Sequence, residues 1–250
     1  MSDFNRGFPS RPTSVVTDMS VDAGLRAFML GVYAKVGLGL VISGALAYVT
    51  GTVPQVQRFL FTVDPASGRV GYTILGLVVA FAPLGILLFQ AFMRRTSPQA
   101  AAFTYWAIVS LIGASFGLLF IYYSQVSIFQ TFLVTAAAFG GLSLVGYTTK
   151  RDLTGMGSFL IMGLWGLIFA SLAAIFFHSG ALYFAINLIG VLIFAGLIAY
   201  DTQRLKLTYH QLGGDTAAMS VATSYGALSL YLNFINLFRF LLFFMGGSRR

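Results

Sequence analysis

Long apolar runs separated by short polar segments form the main pattern of the chain. Behind a polar N-terminal tail, each run has about 20 residues, the length an α-helix needs to cross a hydrocarbon core of roughly 30 Å. A membrane β-barrel would instead show alternating segments of about 10 residues. The predicted spans are residues 33–53, 72–93, 100–123, 127–148, 157–177, 181–201 and 226–245. The pattern predicts an all-α integral membrane protein, with seven transmembrane helices in one domain, residues 29–250, behind a flexible tail, residues 1–28.

Composition supports the same class. Hydrophobic residues make up 58% of the chain and charged residues 9%, whereas soluble domains average about 25% charged residues. The chain contains no cysteine, which excludes disulfides and thiolate metal sites. The tail has no apolar segment behind its charges, so we expect no cleaved signal peptide.

Basic residues are scattered in ones and twos at the ends of the predicted spans. The net charge of +8 therefore does not indicate a nucleic-acid partner, which would require a basic stripe or patch. Lys and Arg favour the cytoplasmic side of a membrane. One predicted side carries Arg6, Arg11, Arg26, Lys35, Arg94, Arg95, Lys150, Arg151, Arg204 and Lys206, and the other carries Arg58, Arg69, Arg249 and Arg250. We expect a cytoplasmic N-terminus and an outer C-terminus, or a re-entrant seventh segment that keeps Arg249 and Arg250 inside.

One acidic side chain, Asp201, touches the apolar runs, at the predicted cytoplasmic end of the sixth span. The remaining acids lie in the tail or between runs, and the chain has no Glu: they are Asp3, Asp18, Asp22, Asp64, Asp152 and Asp215. An ionisable group at the edge of hydrocarbon is costly, which makes it a functional candidate. The alternative is a carboxylate that reaches the headgroups and pairs with Arg204.

The seventh span carries a polar stripe. Asn233, Asn236 and Arg239 recur at spacings of three residues and share one helical face, which predicts that this face contacts protein or water. We expect the seventh helix to be central and Asn233 to come near Asp201. Asp201, Asn233 and Asn236 offer the oxygen ligands that calcium prefers, but a single carboxylate predicts only a weak, leak-like site.

Enzyme alternatives find little support. An aspartyl protease needs two membrane carboxylates, and the second candidate, Asp215 in Leu212-Gly-Gly-Asp215, lies in a polar loop. A zinc protease would need H-E-x-x-H, whereas the two histidines are His178 and His210. We expect no enzymatic activity and no cofactor.

Small residues within the spans predict close helix packing, and Pro83 predicts a kink in the second span. The glycines concerned are Gly37, Gly39, Gly113, Gly117, Gly140 and Gly141.

Four motifs resemble the Bax inhibitor-1 family, also called the transmembrane Bax inhibitor motif family, in its bacterial branch. They are Gly24-Leu-Arg26 with Met29–Tyr33, Gly146–Phe159, Gly196–Gln203 and Leu230–Phe238. The resemblance implies a seven-helix fold in which six helices surround a central, partly polar seventh, located in the bacterial inner membrane. It also implies a pH-sensitive calcium leak gated by two aspartates that share a proton. The first corresponds to Asp201, and the second to position 233, which is Asn233 here.

Asn233 in place of the second aspartate predicts a weaker calcium affinity and a blunted or shifted pH response. The family's acidic residue in the second helix also has no counterpart. The expected partner is the lipid bilayer, and a monomer is favoured. The alternative function implied by the resemblance is a non-conducting partner of a membrane-anchored AAA protease, with residues 1–25 or so as the interaction tail and Asp201 as a structural residue.

Overall fold

The computed structural model of the protein describes residues 23–63, 70–93 and 96–247. Within these ranges a two-stranded antiparallel hairpin accompanies a helical bundle. The elements are α1 (Ala23–Thr52), α2 (Pro54–Leu60), β1 (Phe61–Val63), β2 (Val70–Tyr72), α3 (Ile74–Ala91), α4 (Pro98–Ser115), α5 (Gly117–Tyr122), α6 (Gln125–Thr148), α7 (Thr154–Phe176), α8 (Gly180–Leu212) and α9 (Thr216–Met245).

Seven helices of the described chain are long and apolar enough to cross a membrane, with α4 and α5 counted as one span, Pro98–Tyr122. The protein is therefore a multi-pass α-helical membrane protein, as predicted. Of the predicted tail, residues 1–22 lie outside the described residues, whereas residues 23–28 belong to α1. The predicted start of the first span at residue 33 is too late, because Leu25, Phe28 and Met29 before it are buried in the core of the bundle.

The sixth predicted span also ends too early. α8 continues past Asp201 to Leu212, because the residues that follow Asp201 bury one face: Thr202, Gln203, Leu205 and Lys206. Gly213 ends the helix in the left-handed conformation, with φ of 56°, which glycine adopts without strain. Asp201 thus lies in the interior of a helix and not at its end.

α9 packs against α1, α4, α6 and α8, while the main contacts of α3 and α7 are with α4 and α8 respectively. Half of the most apolar 18-residue stretch of α9 is buried inside the bundle, a larger share than in the corresponding stretches of the other six spans. These contacts place the polar side chains of α9 against protein. The arrangement of all six helices around α9 stays a prediction.

Successive spans alternate in direction, which gives the bundle two ends. At one of them, called here the N-terminal end, α1 and α9 begin and the α3–α4, α6–α7 and α8–α9 connections lie. The β1–β2 hairpin belongs to the opposite end, where the Tyr122 hydroxyl of α5 donates to the carbonyl of Val70. Asp201 lies on the part of α8 that approaches the N-terminal end.

Candidate functional site

The Asp201 carboxylate lies between α8 and α9, and the side chain is 6% exposed. Arg204 Nη2 lies 3.1 Å from Asp201 Oδ1, one turn along the same helix. The other oxygen, Oδ2, accepts hydrogen bonds from Asn233 Nδ2 at 2.8 Å and from Ser229 Oγ at 2.5 Å. The expected contact between Asp201 and Asn233 is therefore present. All three partners donate, so both oxygens of an ionised carboxylate are satisfied.

Helical spacing explains why these groups converge. Ser229 and Asn233 are four residues apart on α9, so they lie one above the other on the face that meets α8. The backbone of α9 comes close to α8 at Gly226, where an added Cβ would lie 2.4 Å from Leu205 Cδ2. The ion pair of Asp201 and Arg204 follows from their i,i+3 spacing.

Arg204 is the exposed member of the cluster. Its side chain is 48% exposed, its Cζ lies 5.8 Å from the centre of the Tyr200 ring, and Nη2 is 3.5 Å from Ser229 Oγ. The guanidinium therefore connects a buried carboxylate with the surface of the bundle.

Two further side chains of α8 tie this helix to α6 and to the α6–α7 connection. Gln203 donates to the carbonyl of Arg151 at 2.7 Å and accepts from the backbone N–H of Leu153 at 2.8 Å. Lys206 donates through Nζ to the carbonyl of Tyr147. These buried contacts fix the rotation of α8 and hence the direction of Asp201.

The connection itself is held by a local turn. The backbone N–H and the hydroxyl of Thr154 both donate to Asp152 Oδ1. Hydrogen bonds from the Thr154 hydroxyl first, and from its N–H second, lower the pKa of the Asp152 carboxyl from its ordinary value. The ordered turn presents the carbonyl of Arg151 to Gln203.

Asn236 and Arg239, the remaining predicted site residues, do not join Asp201. Asn236 Nδ2 donates to the carbonyl of Leu232 in its own helix at 2.8 Å. Arg239 lines a cavity of about 210 Å³ together with Tyr123 and Asn187, towards the far end of α9. The predicted polar stripe is therefore divided, because three-residue steps drift around a helix of 3.6 residues per turn.

The second acid of the aspartyl-protease alternative has a structural role. Asp215 Oδ1 accepts from the backbone N–H groups of Ala217 and Ala218 and caps α9. Gly213 and Gly214 before it both have positive φ. The Leu212-Gly-Gly-Asp215 sequence is thus a helix-to-helix turn.

Three residues of the site were not predicted from the sequence: Ser229, Gln203 and Lys206. The four-residue step from Ser229 to Asn233 was visible in the sequence. The contacts of Gln203 and Lys206 with backbone carbonyls left no such signal, because they depend on how α8 lies against α6.

Comparison with known proteins assigns the family. The family model described as "Inhibitor of apoptosis-promoting Bax1", Bax1-I, matches residues 25–250 of the chain. The protein belongs to the Bax1-I family. This confirms the resemblance read from the four sequence motifs.

Bacterial relatives match this Bax1-I protein over nearly its whole length. An uncharacterized protein of Caulobacter vibrioides is 62% identical over 100% of both chains. The uncharacterized protein RP147 of Rickettsia prowazekii is 41% identical over 95% of this chain and 96% of its own. Inner membrane protein YbhL of Escherichia coli K12 is 40% identical over 91% of this chain and 94% of its own.

The side chains around Asp201 donate hydrogen bonds to it, whereas a calcium ion requires oxygen ligands. No group of three or more His, Cys, Asp or Glu side chains among the described residues could hold a metal ion. Asn233 turns its NH₂ group towards Asp201, while Arg204 pairs with the other carboxylate oxygen. In this Bax1-I protein, a calcium ion at Asp201 would have to displace Arg204 and turn the amide of Asn233. Calcium binding there stays a prediction.

Proposed function

We propose that this Bax1-I protein is a leak pathway for cations, calcium in particular, in the bacterial inner membrane. In this proposal the contact between Asp201 and Asn233 holds the pathway closed. The observation that carries it is the buried carboxylate of α8 whose two oxygens are held by three donors, two of them on α9. Its role is electrostatic and not catalytic.

A buried charge is retained only where the surroundings compensate for it. Asp201 joins α8 to α9, so a movement of these helices relative to each other must break the bonds to Ser229 and Asn233. The half-exposed Arg204 is the partner that can leave with the least loss of packing. Its departure would free a carboxylate oxygen for a passing cation.

The pH response follows from the residue at position 233. Two neighbouring carboxylates titrate as a coupled pair, because they repel each other when both are ionised. Asn233 does not titrate and donates to Asp201, so the two residues have no proton to share. We therefore expect a leak that changes little with pH.

Calcium flux into dye-loaded proteoliposomes at about pH 6 and about pH 8 tests the proposal, since these values bracket the physiological range. Asp201→Asn removes the ion pair with Arg204 and leaves Ser229 and Asn233 only a neutral acceptor. The closed contact should therefore weaken, and we expect the leak to increase severalfold. Asn233→Asp places a second carboxylate beside Asp201, so we expect a steeper dependence on pH. Asn236→Asp is the matched control, because it adds the same charge to the same helix at a side chain bonded within α9.

Equal flux and equal pH dependence in all four proteins would contradict the proposed role of the contact. Absence of flux in all four would favour the alternative, a partner of a membrane-anchored AAA protease. In that case deletion of residues 1–22 should abolish co-purification with such a protease while leaving the bundle folded.

A further inference from the structure

α1 and α6 both pack against α9, but a cleft of about 530 Å³ lies between them. Its lining includes Arg26, Met29 and Tyr33 of α1 and Phe139, Gly140 and Ser143 of α6. This volume falls within the range of about 300 to 1,000 Å³ that is typical of small-molecule sites. The cleft is large enough for a ligand to lie between the two helices.

The cleft opens to the surface that faces lipid. Leu30 and Leu144, which also line it, are 58% and 62% exposed. The rings of Tyr33 and Phe139 meet edge to face, with centroids 6.3 Å apart, and they are the lining residues furthest from the N-terminal end on their helices. The cleft is therefore open laterally to the membrane and closed at its deep end.

A buried hydroxyl points to a polar group in the ligand. Ser143 is 5% exposed and lines the cleft, yet its Oγ has no hydrogen-bond partner among the described residues. The Oγ atom is enclosed, so it meets a ligand oxygen only after the Ser143 side chain turns towards the cleft. A hydrogen bond formed there would restore the free energy that a buried hydroxyl loses without a partner. The apolar walls would at the same time accept hydrocarbon.

A basic side chain, Arg26, lies at the mouth of the cleft, which is the part nearest the N-terminal end of the bundle. Arg26 lies in the first turn of α1, and Tyr147, another lining residue, lies in the last turn of α6. Ser143 precedes Tyr147 by four residues, which places it about 6 Å deeper along the axis. From the mouth inwards, the cleft thus offers a positive charge, then a hydroxyl donor, then apolar walls. A phospholipid has the matching order of phosphate, glycerol esters and acyl chain.

We propose that the cleft between α1 and α6 binds one anionic phospholipid. Its phosphate pairs with Arg26, an ester oxygen accepts from the Ser143 hydroxyl, and an acyl chain lies along Met29, Phe139 and Gly140. The lipid comes from the leaflet at the N-terminal end of the bundle. Basic pockets between transmembrane helices bind anionic headgroups by the same chemistry. The proposal is independent of ion conduction.

Native mass spectrometry of the delipidated full-length protein tests this site, with phosphatidylglycerol and phosphatidylcholine of the same acyl chains as probes. We expect one molecule of phosphatidylglycerol to remain bound and to raise the melting temperature, with phosphatidylcholine bound more weakly. An Arg near an anionic headgroup accounts for about a fivefold difference in affinity. Arg26→Gln should therefore remove most of the preference without preventing lipid binding.

Gly140→Leu fills the cleft from within. A Cβ at Gly140 meets nothing within 4 Å, so the substitution should leave the fold intact and lower retention of phosphatidylglycerol at least tenfold. Gly141→Leu is the matched control, because its Cβ also meets nothing within 4 Å and Gly141 does not line this cleft. Ser143→Ala should weaken binding of both lipids.

Equal retention of both lipids by the unchanged protein would overturn the proposal and make the cleft an unselective apolar groove. Unchanged binding in Gly140→Leu would overturn it as well, since the lipid would then lie elsewhere. An equal loss in Gly140→Leu and Gly141→Leu would also exclude this cleft as the specific site.

Discussion

At the scale of single residues, the site consists of one carboxylate and the three groups that donate to it. Ser229 and Asn233 bond the same oxygen, and Arg204 pairs with the other. Asp201 and Asn233 were predicted to come near each other because they lie towards the same end of two consecutive spans. Ser229 was not predicted, because a serine in a spanning helix usually bonds its own backbone, as Ser171 does with the carbonyl of Leu167.

Replacement of Ser229 tests the cost of removing one donor. Ser229→Ala leaves Asp201 Oδ2 with Asn233 alone, so we expect the free energy of unfolding to fall by about 1 to 2 kcal/mol, as for a buried hydrogen bond to a charged group. Thermal unfolding of the purified protein in detergent measures the change. Ser171→Ala is the control, and an equally small effect of both substitutions would show that Ser229 contributes nothing to the cluster.

At the scale of elements, close approach of helices determines which glycines matter. A Cβ at Gly113 would lie 2.5 Å from Cα of Ser43, and one at Gly39 would lie 2.2 Å from the Tyr105 hydroxyl. Gly117 is packed just as closely, whereas Gly37, Gly140 and Gly141 meet open space. Half of the predicted packing glycines are therefore at helix contacts. The sequence could not separate the two groups, because the rotation of each helix is set by its neighbours.

Gly146 connects helix packing with the site. A Cβ there would lie 2.2 Å from the carbonyl oxygen of Ala199, two residues before Asp201. Gly146→Ala must therefore push α6 away from α8, and we expect a loss of about 1 to 3 kcal/mol of stability, as for overpacking in a core. Thermal unfolding measures the loss.

The control for this variant is Gly141→Ala, which adds the same methyl group where nothing lies within 4 Å. It should leave stability unchanged or raise it, because alanine is the better helix former by about 1 kcal/mol. Equal melting temperatures for the two variants would mean that α6 and α8 separate without cost.

At the scale of the whole molecule, the described basic residues predict the orientation in the membrane. Arg26, Lys150, Arg151 and Arg204 lie towards the N-terminal end of the bundle, which the distribution of Lys and Arg predicts to be cytoplasmic. Arg58 lies near the opposite end, in α2.

The absence of native cysteines allows this orientation to be measured directly. We expect a membrane-impermeant maleimide to label His178→Cys, between α7 and α8, in intact spheroplasts. Gln211→Cys, in the last turn of α8, should react only after the membrane is broken. Both positions are exposed in the fold. The reverse pattern would contradict a cytoplasmic N-terminus.

The sequence by itself determined the class of protein, the seven spans and the family. These features depend on hydrophobicity along single segments and on local motifs. The sequence also predicted that Asp201 and Asn233 come near each other, but this contact depends on the packing of α8 against α9. Tertiary structure alone decided that α8 continues to Leu212, because the polar residues beyond Asp201 become helical by burying a face against α6 and α9. It also decided that Asn236 and Arg239 lie away from Asp201. The cleft between α1 and α6, with the Ser143 hydroxyl that is unpaired within the described chain, was likewise decided by the tertiary structure. Each of these outcomes depends on the relative rotation of packed helices, which is a property of neighbours and not of any one segment.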